Sequence, residues 1–265
     1  MTTILLVLLG FCAGLLGALT GIGGGVLLTP ILILHFGIPV RQAIGTSLVA
    51  VITTSAASSS VHLQRHTTDI RLGMTLELAT SLGAAVMAYL VGYFNRGALE
   101  GLFAAFLLYS SIMILSKGGK VKDDENSTPA LNGEVVIPEY EPQRYPLGLS
   151  ASLVAGALSG LLGIGGGPIK VPVMFIFMNV PLMVATATSN FMIGVTAAAS
   201  AIVYYRRGDI QPQIAAPLAV GVFIGSLLGA RLAPRIHTKI VVYLLVAVML
   251  YLAGHLGIHL LRGLL

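Results

Sequence analysis

Two glycine-rich runs of the same sequence are the first candidates for chemistry. Gly21-Ile-Gly-Gly-Gly25 recurs as Gly163-Ile-Gly-Gly-Gly167, an offset of 142 residues. Glycine permits positive φ and leaves backbone N–H groups accessible, and each run precedes an apolar segment that can restart as a helix. A helix N-terminus carries partial positive charge and free donors, which suit an anion. Small-anion binding is therefore predicted for Gly23, Gly24, Gly25, Gly165, Gly166 and Gly167, with close helix packing as the alternative.

The single charged residue near these runs is Lys170, which follows Gly167-Pro168-Ile169 inside an apolar segment. An ionisable residue in a membrane segment is a functional hypothesis by default, and here it would add a full positive charge to an anion site. The alternative is that its long stem carries the ammonium to the membrane interface. Glu77, the only acid of its own apolar run, is either a proton relay or an interfacial residue.

Matched hydroxyl and amide groups lie downstream of both glycine runs. Thr46-Ser47 and Thr188-Ser189-Asn190 share the 142-residue offset. Their side chains can donate hydrogen bonds to the oxygen atoms of an anion, so Thr46, Ser47, Thr188, Ser189 and Asn190 join the predicted binding site. The alternative is that they bond to carbonyls of their own helix or join neighbouring helices.

Composition places most of the chain in a lipid bilayer. Of its 265 residues, 56% are hydrophobic and 9% charged, and the mean hydropathy is +0.92, whereas soluble domains carry roughly 25% charged residues. The net charge of +5 does not indicate nucleic-acid binding, because no soluble basic face exists to present it. The lone cysteine, Cys12, is interpreted as a small buried hydrophobe.

Apolar runs predict an all-α polytopic membrane protein with eight to ten helices that cross or enter the bilayer. A span needs about 20 residues, so runs 25–38 and 167–180 are predicted to be half-helices or tilted segments. Glycines spaced four apart on other runs predict helix-packing seams: Gly10 and Gly14, Gly156 and Gly160, and Gly221, Gly225 and Gly229. The ten runs cover about 3–20, 25–38, 42–63, 73–93, 97–116, 147–162, 167–180, 183–204, 212–233 and 238–261.

An internal repeat divides the chain into residues 1–116, a polar linker 117–145 and a second repeat, 146–265. Asp69-Ile70 is matched with Asp209-Ile210 after a two-residue slip. Positively charged loops tend to be cytoplasmic, and their positions favour repeats of opposite orientation, although Arg206-Arg207 argues the other way. Paired, interrupted segments in two halves of a transporter indicate the binding site.

The duplicated G-I-G-G-G, the proline-bearing segment after it, the A-x-x-T-S element and the central linker together resemble the TauE/SafE family of membrane transporters. The resemblance implies export or uptake of sulfite, sulfoacetate or related small organosulfur anions, and export is the direction predicted for this chain. The two copies differ where Val26 and Leu28 stand against Pro168 and Lys170, so a strictly symmetric site is not expected.

A secondary transporter of small anions is therefore the predicted function, in the plasma membrane of a prokaryote, with a second copy of the chain as a candidate partner. No G-x-x-x-x-G-K-[ST] motif is present, so coupling must use a gradient, for example of protons or sodium ions. No nucleophile–base or metal set indicates an enzyme, a cofactor or a metal. A passive channel, or a carrier of another small carboxylate or inorganic anion, remains the alternative.

Replacing the middle of the linker by a short flexible sequence should leave transport largely intact, because the linker is polar, proline-rich and outside the repeat. Flux into liposomes, compared at matched protein amounts, measures this. Complete loss of flux in a correctly inserted variant would contradict the prediction.

Overall fold

The chain is helical throughout the parts that the computed structural model describes, residues 2–117, 140–233 and 238–264. These parts are 86% helical and contain no β-strand. One helix corresponds to each predicted apolar run: α1 Thr2–Thr20, α2 Gly25–Phe36, α3 Val40–Gln64, α4 Ile70–Leu90, α5 Arg96–Lys117, α6 Tyr145–Leu162, α7 Gly167–Pro172, α8 Leu182–Arg206, α9 Pro212–Leu232 and α10 Thr238–Leu264.

The two segments predicted to be short are short. Helix α2 has 12 residues, contains Pro30 and ends at Gly37 in a left-handed conformation. Helix α7 has six residues and continues as a π-helical turn over Val173–Phe177. Both short helices contain a proline, Pro30 in α2 and Pro172 in α7. Proline inside a helix removes a backbone N–H donor and clashes with the preceding turn.

Six helices in the described ranges are long and apolar enough to span a membrane: α1, α3, α4 with its 3₁₀ extension Val91–Tyr93, α6, α8 and α9. Large apolar side chains also point outward, for example Leu78 at 78% and Ile202 at 60% exposure. Such a surface would be unstable in water and suits lipid. The protein is therefore a multi-pass membrane protein.

The helices pack across the two halves of the chain rather than within them. Helix α1 lies along α9, α4 lies along α6, and α3 packs against α8 in the centre. Helices α5 and α10 form a further pair, and α10 also contacts α2. Each long helix of the first half thus has its main partner in the second half.

Glycines allow the α1–α9 pair to approach backbone to backbone. A methyl group on Gly14 would meet the carbonyl oxygen of Val222 at 2.5 Å, and one on Gly225 would overlap the carbonyl of Phe11. The predicted packing seam is confirmed. Cys12, by contrast, lies exposed on the outside of α1, so its interpretation as a buried residue was wrong.

The α4–α6 pair repeats these contacts 142 residues away, with the halves exchanged. A methyl group on Gly156 would overlap the carbonyl of Thr80, and one on Gly83 would overlap the carbonyl of Leu153. These are the positions equivalent to Gly14 with Val222 and Gly225 with Phe11. Both seams therefore have the same geometry.

Gly156→Ala should destabilise the protein, because its methyl group would meet backbone of α4 that cannot move aside. Overpacking of this kind costs about 1–3 kcal/mol. The measurement is the thermal midpoint at which detergent-purified protein loses its monodisperse size-exclusion peak. Gly254→Ala in α10 is the matched control, because no atom lies within 4 Å of that methyl group. Equal midpoints for the two variants would contradict the seam.

Candidate functional site

The two glycine turns have nearly the same backbone at their first and third positions. Gly21 and Gly163 have φ of 69° and 70°, and Gly23 and Gly165 have φ of 81° and 77°. These left-handed conformations favour glycine. The turns differ at the fourth position, where Gly24 has φ of −64° and Gly166 has φ of 79°.

The two turns pack directly against each other in the buried centre of the protein. A methyl group on Gly25 would overlap the carbonyl oxygen of Gly163, and one on Gly167 would lie 2.5 Å from the carbonyl oxygen of Gly21. All four glycines are buried. The two turns therefore face each other at the contact between the first and second halves of the chain.

The matched serines bridge the two turns. Ser189 Oγ donates to the carbonyl oxygen of Gly21 at 2.8 Å, and Ser47 Oγ lies 3.3 Å from the carbonyl oxygen of Gly163. Ser47 also lies 2.9 Å from the carbonyl oxygen of Ile44. Each serine thus contacts the turn of the opposite half, and the Ser189 hydroxyl satisfies a carbonyl of the irregular backbone.

The matched threonines bind helix starts of the opposite half. The backbone N–H of Asp69, which caps α4, donates to Thr188 Oγ1 at 3.0 Å. The N–H of Gln211, which caps α9, donates to Thr46 Oγ1 at 3.2 Å. The structural equivalent of Asp69 is therefore Gln211, at the unbroken 142-residue offset, and the match with Asp209 was wrong.

Asn190 joins the halves as well. Its Nδ2 donates to the carbonyl oxygen of Ala18 at 3.1 Å, while its Oδ1 is buried and has no hydrogen-bond partner among the described residues. In this conformation the predicted hydroxyl and amide groups thus hold helices together. Binding of substrate by Thr46, Ser47, Thr188, Ser189 and Asn190 remains a prediction.

Lys170 lies at the centre of a buried cluster that spans three helices. Its ammonium donates to Glu77 Oε2 of α4 at 3.1 Å and to Thr196 Oγ1 of α8 at 2.9 Å. Thr196 Oγ1 in turn donates to Glu77 Oε1 at 2.6 Å, and Ser81 Oγ donates to the same oxygen at 2.7 Å. The cluster therefore links α4, α7 and α8 through charge-assisted hydrogen bonds.

The ion pair of this cluster is shielded from the surroundings. The side chain of Lys170 is 0% exposed and that of Glu77 is 6% exposed. The alternative that the stem of Lys170 carries its ammonium out to the membrane interface is therefore wrong, because the ammonium is buried against Glu77. Glu77 was not among the predicted site residues, although its status as the only acid of its run was a signal for it.

The cluster has no charged counterpart in the other half. Its equivalents at the 142-residue offset are Leu28 for Lys170, Ala219 for Glu77, Thr54 for Thr196 and Phe223 for Ser81. Only the threonine is shared. The departure from symmetry that Leu28 indicated in the sequence thus extends to the whole cluster.

Comparison with known proteins decides the family. The sequence model described as Sulfite exporter TauE/SafE matches residues 6–256. The chain belongs to the TauE/SafE family. It is 29% identical to the probable membrane transporter protein YunE of Bacillus subtilis (strain 168), over 84% of this chain and 85% of that protein. No solved structure gives a significant match.

Two further relatives carry the same description. The probable membrane transporter protein MJ0441 of Methanocaldococcus jannaschii is 29% identical, over 82% of this chain and 81% of its own length. The probable membrane transporter protein YdhB of Bacillus subtilis (strain 168) is 25% identical, over 82% and 84%. These relatives, together with the family, identify a membrane transporter.

A cavity of about 450 Å³ lies elsewhere in the protein, beside the loop between α2 and α3. Arg41 and Arg96 line it, but both already bind protein groups. Arg41 donates to the carbonyl oxygens of Gly92 and Phe94 at 3.0 and 2.9 Å, and Arg96 pairs with Glu100 at 2.7 Å. Both arginines are therefore paired with protein groups, as Lys170 is paired with Glu77 and Thr196.

The end of the linker contacts the helix bundle. Tyr140 donates its hydroxyl to Asp69 Oδ2 at 2.8 Å, and the N–H of Gln143 donates to the carbonyl oxygen of Met178 at 3.0 Å. Burial, with the Asp69 carboxylate, raises the pKa of Tyr140. The middle of the linker, predicted to be dispensable, lies outside the described residues, so a replacement should retain Tyr140 and the residues up to α6.

Lys170→Met should destabilise the protein more than the double variant Lys170→Met/Glu77→Gln. The single change leaves the Glu77 carboxylate buried and unpaired, which costs about 3–5 kcal/mol. The double change removes both charges and keeps the hydrogen-bonding amide. A double-mutant cycle measures the coupling. It compares the thermal midpoints of wild type, Lys170→Met, Glu77→Gln and the double variant. Additive effects of the two single changes would contradict a coupled pair.

Proposed function

We propose that this protein is a secondary transporter that exports small anions, with sulfite, sulfoacetate and related organosulfur anions as the substrate class. The observation that carries the proposal is the buried Lys170 ammonium three residues beyond a glycine turn. The TauE/SafE family match supports transport, and the description of that family supports the substrate class.

The charge balance of the cluster supports a role in binding rather than in stability. Moving two charges out of water costs nearly as much free energy as their mutual attraction provides. A protein with apolar residues of similar volume in their place is therefore often equally stable. Leu28 and Ala219 stand at the equivalent positions of the other half, which shows that such a position can be filled without charge. A cation retained in a membrane protein core is therefore best explained by function.

The hydrogen-bonding capacity of Lys170 also leaves room for a ligand. An ammonium has three N–H donors. Among the described residues, Glu77 Oε2 and Thr196 Oγ1 accept two of them. A sulfonate or sulfite oxygen can accept the third. We extend the site to Gly23–Gly25 and Gly165–Gly167 and to the matched Thr, Ser and Asn residues, because the turns lead into the segment that carries Lys170.

We further propose that residues 1–116 and 146–265 are inverted repeats joined by the linker. Four kinds of contact recur at the 142-residue offset with the halves exchanged: the seams, the turns, the serine bridges and the threonine caps. A pseudo-two-fold axis would generate this reciprocity. Inverted repeats allow one bundle to rock against another around a central site, which favours a carrier over a passive channel.

The relatives support a location in a prokaryotic plasma membrane, because those named above come from a bacterium and an archaeon. Other small carboxylates or inorganic anions remain the alternative substrates. Both kinds of ligand would use the same ammonium, so a binding panel separates them.

Anion binding to purified protein in detergent tests the proposal. The panel contains sulfite, sulfoacetate, methanesulfonate, sulfate, lactate and nitrate, and a ligand that binds the native state raises the thermal midpoint. We expect sulfite or a sulfonate to bind wild type most tightly. Lys170→Met/Glu77→Gln should weaken it about tenfold to hundredfold, because one charge-assisted hydrogen bond of roughly 1.5–3 kcal/mol is lost.

Leu28→Met is the matched control, since it places the same side chain at the equivalent position of the other half. Its affinity should equal that of wild type. Saturable counterflow in liposomes would separate a carrier from a channel. Unchanged affinity in the double variant would remove Lys170 from the site, and absence of binding for the whole panel would contradict the proposed function.

A further inference from the structure

The partner of the Lys170 ammonium is a carboxylate of the protein itself. Glu77 occupies one face of the cation, and both groups are shielded. An anion that reached this ammonium would also lie beside the negative charge of Glu77. In a medium of low dielectric constant, like charges at such short distances repel strongly, so the ion pair in its charged form excludes the substrate.

We propose that Glu77 is a proton-binding site, and that it takes up one proton for each anion that Lys170 binds. This inference rests on the proposed function. Protonation converts the carboxylate to a neutral carboxylic acid, and the ammonium is then free to pair with the anion. For an anion of single charge such as methanesulfonate, the cluster has zero net charge before and after this exchange: Lys⁺ with Glu⁻ becomes Lys⁺ with the anion, beside neutral Glu. The anion and the proton therefore move in the same direction, so export is driven by the outward gradient of the anion itself.

The hydrogen bonds indicate which carboxylate oxygen takes the proton. Oε1 of Glu77 already accepts from Ser81 and Thr196, so its lone pairs are occupied by hydroxyl donors. Oε2 accepts only from Lys170 in the described structure. When the ammonium turns toward an anion, Oε2 loses its donor and binds the incoming proton. The resulting O–H can donate to the anion, so the same proton that removes the negative charge also provides a ligand contact.

Few ionisable groups other than Glu77 lie where they could take up a proton when the anion binds. Helices α6 and α8 pack on α4, α7 reaches α4 through Lys170, its one ionisable residue, and α4 itself also carries Tyr89 near its C-terminal end. The single ionisable residue of α6 is Tyr145, at its first position, and those of α8 are Tyr204, Tyr205 and Arg206, at its C-terminal end. On α4 itself, Arg71 lies in the first turn, beside the N-cap Asp69 that receives the Tyr140 hydroxyl. The helices around Glu77 thus offer Lys170 as its one close charge.

The difference between the two halves determines how many protons accompany each anion. Ala219 and Leu28 occupy the equivalent positions in the other half, and neither side chain can bind a proton or an anion. One chain therefore contains one such cluster, and we infer one proton for each anion. A symmetric pair of clusters would have given two.

The decisive measurement is the pH dependence of anion binding to wild-type protein. Methanesulfonate, sulfoacetate and sulfate serve as probes, because none of them takes up a proton near neutral pH. Because one proton is taken up with each anion, the apparent Kd should rise about tenfold for each unit of increasing pH across the alkaline part of the measured range. Calorimetry in two buffers of different ionisation enthalpy should report the uptake of one proton for each anion bound.

Glu77→Gln separates Glu77 from other titrating groups. Glutamine has the shape of the protonated acid and cannot ionise, so this variant should bind the same probes with an affinity that no longer follows pH and without proton uptake. Any pH dependence that remains would report Lys170 or another group. Leu28→Met should retain the full pH dependence of wild type. In liposomes, a pH gradient alone should drive accumulation of the probe by wild type and not by Glu77→Gln.

The outcomes distinguish this inference from the proposed function. Binding to wild type without proton uptake would overturn the role of Glu77 and leave the anion transporter intact. An unchanged pH dependence in Glu77→Gln would do the same. If no probe binds wild type at any pH, the proposed function fails, and the inference fails with it. Proton uptake is measured on wild-type protein, so this test does not depend on whether the variants fold.

Discussion

The direct contact between the two glycine turns is the constraint on which the rest of the structure depends. Irregular backbone is tolerated at membrane depth only where protein buries it and satisfies its polar groups. Here the carbonyls of Gly21 and Gly163 meet the backbone at Gly167 and Gly25, and two serines supply hydrogen bonds. Because a side chain at either contact would separate the turns, their positions fix where α2 and α7 begin.

From these starting points the short helices carry their side chains into the core. Lys170 follows its turn by three residues and therefore enters the space between α4 and α8, where Glu77 and Thr196 receive it. Leu28 follows the other turn by the same distance and is also fully buried. The backbone arrangement is thus reciprocal while the chemistry is one-sided: of these two positions, only that of Lys170 carries a charged cluster.

The sequence predicted the helices, the short segments and the seams because each depends on a local pattern: apolar length, proline position or glycine spacing. It also indicated Lys170, since a lone cation in an apolar run is conspicuous. Its partner could not be predicted, because Glu77 lies 93 residues away and no local pattern joins them. Cys12 was misplaced for a related reason: an apolar run reveals that a helix is in the membrane, but not which face meets lipid.

The threonine caps have a consequence for how the protein is made. The start of α4 is bound by Thr188, and the start of α9 is bound by Thr46, while α1 lies along α9 and α4 along α6. During synthesis, α1 and α4 leave the ribosome long before these partners exist. The first half must therefore wait in the bilayer with its glycine seams unfilled, where other small-residue helices could occupy them. The bundle can close only after α9 and α10 have been made, so α1 and α5 of the first half acquire their main partners at the end of synthesis.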